Sequence, residues 1–196
     1  PEYFKTSRAF SLAMTVLFFS NITLISFPFY ITYARDIFGL PAGKVGILIS
    51  SQIVGTMLGG LFLGYIGDKK GHEKAVLCFA ASSFIPPLMA LILGLINPGK
   101  GLSITLITII IFFFMGMFKR GWIGFINYII DLVPDHQRTL YTGLMNLIRI
   151  PAAIFPVLGG LFVSAYGYNS IFIIAFFFTI IGIIIALKLP PAGHID

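Results

Sequence analysis

The sequence predicts an all-α membrane protein, six transmembrane helices arranged as two inverted three-helix repeats, and three observations lead there. The first is composition: the 196 residues are 58% hydrophobic and only 10% charged, whereas a soluble domain of this size is about 45–50% apolar and about 25% charged. A water-soluble enzyme is excluded on that ground, because so little polar surface cannot cover it. The second is the presence of six segments that each supply the roughly 20 mostly apolar residues a bilayer crossing needs. The third is a glycine-rich decapeptide that recurs one hundred residues apart. Thirteen Lys and Arg against seven Asp and Glu are spread too thinly for a nucleic-acid stripe. The single Cys78 permits no internal disulfide.

The six segments are 10–33, 45–67, 75–96, 103–132, 139–165 and 169–188. The first is too long for a signal peptide and is closed by Gly39-Leu40-Pro41. The second is rich in glycine and runs into a lysine cluster at Lys69 and Lys70. The third carries Pro86 and Pro87 and closes at Asn97-Pro98-Gly99. The fourth holds Lys119 and Arg120 well inside its length and ends before Pro134-Asp135. The fifth carries Arg149, Pro151 and Pro156 and closes at Gly167-Tyr168-Asn169. The sixth is unbroken and apolar, and it stops ahead of Pro190-Pro191. None alternates with period two, so a transmembrane barrel is not expected. The spans take 146 of the 196 residues, so no connection could house a soluble domain. The chain begins at Pro1 rather than Met, which points to a piece or a processed form of a longer protein.

Cations set the expected orientation. Lys5, Arg8, Lys69, Lys70, Lys74, Arg138 and Lys188 fall on one side; Arg35, Lys44 and Lys100 fall on the other. Both termini are therefore expected in the cytoplasm, and the cell membrane is the expected location. The repeat pairs Leu58-Gly59-Gly60-Leu61-Phe62-Leu63-Gly64-Tyr65-Ile66-Gly67 with Leu158-Gly159-Gly160-Leu161-Phe162-Val163-Ser164-Ala165-Tyr166-Gly167. Convergent glycine packing between membrane helices would explain such a match. So would a true three-plus-three repeat, inverted because the second and fifth helices cross in opposite directions.

The turn after the second helix reads Gly64-Tyr65-Ile66-Gly67-Asp68-Lys69-Lys70-Gly71-His72-Glu73. It resembles the loop signature of the major facilitator superfamily, Gly-x-x-x-Asp-(Arg/Lys)-x-Gly-(Arg/Lys)-(Arg/Lys). Gly64, Asp68, Lys69 and Gly71 match, while His72 and Glu73 stand where the family usually has two bases. The stretch Asp131 to Arg138 is similar to the family's acidic-Pro-x-x-x-Arg connection, and Pro156-Val157-Leu158-Gly159-Gly160 to the tail of its antiporter signature. The resemblance implies one six-helix half, the second by its ending, of a twelve-helix carrier. It also implies a second six-helix half as partner, either a missing N-terminal half or another copy. On the same basis Gly64, Asp68, Lys69, Gly71 and Arg138 would gate conformation, with Arg138 an ion-pair partner for Asp68 or Asp131.

Arg120 lies eleven residues before Asp131, and Arg149 eleven after Arg138. At about 1.5 Å per residue each is about 16 Å from the helix end, near the middle of a core about 30 Å thick. A midplane arginine costs at least about 2.5–3.5 kcal/mol, so it should face a cavity or a partner. Arg120 shares a small, polar stripe with Gly116, Gly124, Asn127 and Asp131, whereas the stripe of Lys119 is apolar. Arg149 lies with Thr142, Asn146, Ala153 and Pro156. Beyond Asp131 at the end of the fourth span, no Asp or Glu lies within the six. The deep cations are thus expected to meet either carboxylates of another half or an anionic solute, which an arginine fork suits. Asn21 and Gln52 are further candidates for lining a solute path, although each could equally be a helix–helix contact.

No phosphate-cradling Gly-rich loop ends in Lys-Ser/Thr, and His72, His136 and His194 are dispersed. No cofactor, metal or nucleic acid is expected; the expected partners are a small solute and membrane lipid. The reading is secondary transport of a small anionic or polar solute by alternating access, with Arg120, Arg149, Asn127, Asn146, Asn21 and Gln52 as solute-binding residues and no catalytic residue. The alternative is a non-transporting scaffold or assembly subunit that keeps the half-fold.

Overall fold

A computed structural model describes residues 2–96 and 102–192. The Asn97-Pro98-Gly99 turn, Lys100, His194 and the side chain of Lys5 lie outside what it describes. Within it, eight α-helices build six stretches long and apolar enough to cross a membrane. Crossing 1 is α1 (Glu2–Asn21), a 3-10 turn (Ile22–Ile25) and α2 (Phe29–Phe38). Crossings 2, 3 and 4 are α3 (Val45–Lys70), α4 (His72–Ile96) and α5 (Leu102–Leu132). Crossing 5 is α6 (Arg138–Arg149), a 3-10 turn (Pro151–Ile154) and α7 (Phe155–Tyr166), and crossing 6 is α8 (Tyr168–Ala186).

Two of the six are therefore broken, which the apolar runs did not reveal. Crossing 1 loses α-helical pairing ahead of Pro28, and crossing 5 at Pro151, because proline supplies no N–H and clashes with the preceding turn. Freed carbonyls need donors where there is no water. Ser26 Oγ donates to Thr23 O at 2.7 Å and lies 3.0 Å from the Tyr30 hydroxyl, which ties off the first break. Pro86 and Pro87, in contrast, sit inside an α4 that stays helical. Pro87 cannot donate to Ser83 O, and Thr23 Oγ1 does so instead from crossing 1, at 3.2 Å.

The packing follows a two-fold pattern. Crossing 2 lies along crossing 4, crossing 5 along crossing 1, and crossings 3 and 6 pack on each other at the centre. The recurring decapeptide sits on equivalent seams. A Cβ on Gly59 would come within 2.9 Å of Met117 Cα on crossing 4, and one on Gly159 within 2.3 Å of Ile25 O on crossing 1. Without a hydrophobic drive between helices in lipid, such close backbone contact is what binds them. Burial keeps step as well. Gly59 and Gly159 are buried, while Leu61 and Leu161 are 73% and 63% exposed. Chance glycine packing would not reproduce both the seam and the exposure, so the decapeptides mark an inverted repeat.

Two aromatic-rich cores fill the bundle. One, around Phe79, Phe118, Phe125 and Tyr128, lies toward the α3–α4 turn. The other, around Tyr30, Tyr33, Leu93 and Phe172, lies toward the opposite end. Crossings 2 and 5 stay peripheral and carry much of the exposed apolar surface.

Candidate functional site

The seam between α3 and α5 is built by glycines. A Cβ on Gly55 would overlap Phe113 O and one on Gly116 would overlap Gln52 O, so the two backbones touch. Thr56 Oγ1 bridges this contact, donating to Gln52 O at 2.9 Å and lying 3.3 Å from Gly116 O. One turn further along α5 stand Lys119 and Arg120, both exposed. Lys119 Nζ donates to Gln52 Oε1 at 3.3 Å, so Gln52 satisfies a cation. Arg120 leans over α3, where a Cβ on Gly60 would meet its Nε at 3.0 Å.

Beyond Arg120 the seam opens into a cavity of about 120 Å³, lined by Gly60, Gly64, His72, Arg120, Gly124 and Asn127, among others. Gly71 brings His72 there: it ends α3 with φ of 98°, a conformation glycine adopts without strain, so α4 starts at once beneath the end of α5. His72 Nδ1 lies 2.5 Å from Asp131 Oδ2, both side chains partly buried. A Cβ on Gly67 would fall 2.6 Å from His72 Cδ2, so the imidazole lies against a bare glycine face.

Arg149 is on another flank of α5. Its guanidinium carbon lies 4.1 Å from the ring centroid of Trp122, a cation–π contact. Trp122 follows Arg120 by two residues, or about 200° around the helix. The two arginines therefore flank α5 rather than converge on one cavity. A larger cavity of about 320 Å³ at the opposite end, between Tyr33, Tyr166, Tyr168 and Asn169, has no charged side chain among the described residues of its lining.

The major facilitator superfamily profile matches residues 10–195. The chain belongs to the Major Facilitator Superfamily. Over 138 residues, 70% of the chain, it is 26% identical to "Putative transporter AmpG 1" of Rickettsia bellii and 28% identical to the proteins of that name in Rickettsia felis and Rickettsia conorii. The matched stretch covers about a third of each relative: 33%, 30% and 32% of their lengths.

The bundle distributes the sequence-selected residues unevenly. Arg120, Asn127 and Gly64 share the α3–α5 cavity. Asn146 is exposed and spends its amide on Thr142 O of its own helix, at 3.1 Å. Asn21 is buried at the end of α1, with its Nδ2 unpaired among the described residues. Asp68 and Lys69 are exposed at the end of α3, and Asp68 has no ion pair among the described residues. Arg138 pairs with neither Asp68 nor Asp131. Its Nη1 lies 2.9 Å from Asp135 Oδ1, three residues earlier, and its Nε donates to Ile130 O at 3.3 Å. The local partner wins because both groups share one tight connection, while Asp131 already faces His72. His72 is the residue sequence reasoning missed. It stands at one of the loop signature's base positions, and that placement was the available signal.

Proposed function

We propose that the protein is a secondary transporter rather than an enzyme, moving a small anionic or polar solute by alternating access, with this chain as one half of the carrier. A second six-helix half would face crossings 2 and 5, and the molecule would sit in the cell membrane with both termini in the cytoplasm. One observation carries the solute reading: Arg120, deep in a long apolar helix, has no ion pair among the described residues and opens onto a cavity with Asn127. A guanidinium so placed needs an acceptor, and it binds carboxylate or phosphate oxygens through paired N–H donors. Arg149, whose guanidinium lies over the Trp122 ring on another flank of α5, would be a second and separate solute contact, and Asn146 lies one turn before it on the exposed side of α6. Gly64, Asp68 and Lys69 in the last turns of α3, Gly71 in the turn that follows and Arg138 at the start of α6 belong to the region that shifts as the halves rock.

The test is uptake of radiolabelled small carboxylates and phosphate esters by proteoliposomes containing the intact protein. Arg120→Ala should lower uptake of the accepted solute at least about tenfold, the scale of one lost charged contact. Arg120→Lys should retain part of it. Undiminished uptake in Arg120→Ala would remove Arg120 as a ligand. An intact protein that moves no solute would favour the scaffold.

A further inference from the structure

At the end of the bundle away from the α3–α4 turn lies the cavity of about 320 Å³ between Tyr33, Phe38, Gly94, Tyr166, Tyr168 and Asn169. Small-molecule sites begin at about that size, roughly 300–1,000 Å³. Three helix ends meet there: α2 stops at Phe38, α4 stops at Ile96 just past Gly94, and α8 starts at Tyr168. Each C-terminus carries about half a negative charge and the one N-terminus about half a positive charge, so the sum is negative. Asp36 adds a full negative charge at the rim. It is exposed, has no ion pair among the described residues, and accepts a hydrogen bond from Tyr168 Oη at 2.6 Å. A phenol that donates to a carboxylate gains electron density, so its ring face draws a cation more strongly. Arg35 and Lys44 are exposed on neighbouring turns, and neither is among the described residues of the lining.

Two oxygens converge on the cavity floor. Tyr33 Oη and Asn169 Oδ1 lie 2.7 and 3.5 Å from the point where a Cβ on Gly94 would stand, so the bare glycine leaves room beneath both. Tyr33 donates its proton to Ala90 O over a long 3.4 Å, and its lone pairs remain to accept. The walls are aromatic. The Tyr33 ring stands at 87° to Phe38 with centroids 5.3 Å apart, and at 52° to Tyr168 with centroids 5.4 Å apart, so the rings form a corner rather than a stack. Tyr166 adds a further ring, 75% exposed. We propose that this cavity binds an alkylammonium group. Its N–H bonds go to Tyr33 Oη and Asn169 Oδ1, its carbons lie against the aromatic walls, and Asp36 supplies the counter-charge. The site is separate from the Arg120 cavity and does not depend on what solute that cavity takes. Crossings 1, 3 and 6 end around it, at the depth where a bilayer keeps its headgroups. The ammonium therefore comes either from a free organic cation or from an amine lipid of that leaflet.

Butylammonium, charged throughout the neutral range, is the probe, applied to the intact purified protein in an uncharged detergent. Butanol is the uncharged comparison and butyrate the anionic one. Equilibrium dialysis should show saturable binding of butylammonium, at least about tenfold tighter than either, the scale of one charged contact. Asp36→Asn keeps the shape and removes the charge, and should weaken binding by about the same factor. Tyr166→Leu keeps an apolar contact and removes a ring, and should weaken it about two- to fivefold, as for an exposed cation–π contact. Both residues are exposed, so the thermal midpoints should not move; if Asp36→Asn nonetheless fails to fold, Tyr166→Leu carries the test. Displacement of labelled butylammonium by added phosphatidylethanolamine, but not by diacylglycerol, would identify the lipid headgroup as the occupant. Displacement by neither would identify a free cation. Butanol or butyrate bound as tightly as butylammonium, binding unmoved by both substitutions, or no saturable binding would overturn the site.

Discussion

Gly64 and Gly67 lie three residues apart on α3 and face different neighbours. A Cβ on Gly64 meets nothing within 4 Å, whereas one on Gly67 falls 2.6 Å from the His72 ring. Gly67→Ala must therefore push the imidazole off its seat and away from Asp131, an overpacking that costs about 1–3 kcal/mol. Gly64→Ala should be neutral, or stabilising by up to about 1 kcal/mol through helix propensity. Thermal unfolding in detergent should lower the midpoint for the first and not the second; equal midpoints would mean the ring has another place to go. Arg120 was legible in the sequence because a guanidinium deep in an apolar stretch demands explanation wherever it points. The His72–Asp131 pair was not, because the two residues are 59 positions apart. Their meeting depends on the tightness of one glycine turn, which no periodicity encodes. Arg138 looked free to reach Asp68 because helix spacing cannot rank a local carboxylate against a distant one.

At the scale of the element, apolar length placed all six crossings, while the discontinuities in two of them depended on how neighbouring helices supply donors. Pro28 and Pro151 mark breaks, yet Pro86 and Pro87 sit in a helix that continues, so proline alone does not decide. Part of the difference is the hydroxyl of Thr23, which donates to the carbonyl that Pro87 leaves unpaired. Thr23→Val keeps the shape and removes the donor, and should destabilise the protein by about 0.6 kcal/mol and by no more than about 1.7 kcal/mol, the average and the maximum measured for hydrogen bonds between membrane helices. Pro87→Ala restores an N–H to Ser83 O. In the double variant the Thr23→Val penalty should then shrink by half or more, the non-additivity expected of residues serving one acceptor. A Thr23→Val penalty unchanged by Pro87→Ala would show that the hydroxyl stabilises crossing 1 by some other contact.

For the whole molecule, the number of crossings and the repeat could be read from the sequence, but which face of each helix turns inward could not. A helix that is apolar all round gives no moment to read, and in lipid the outward face is as apolar as the core. The paired glycines were the exception, because close backbone approach leaves a residue signature. They fix crossings 2 and 5 by one edge each and leave Leu61 and Leu161 outward at equivalent positions. If a second six-helix half covers those crossings, nitroxide labels at Leu61→Cys and Leu161→Cys in the intact protein should collide with dissolved oxygen several-fold less often than a label at Phe177→Cys. Phe177 is similarly exposed, but on crossing 6. Oxygen concentrates among acyl chains, so this contrast separates a face against protein from one against lipid. The two-fold pattern further requires the two leucine positions to behave alike. Equal collision rates at all three labels would place crossings 2 and 5 against lipid and deny the second half its docking face.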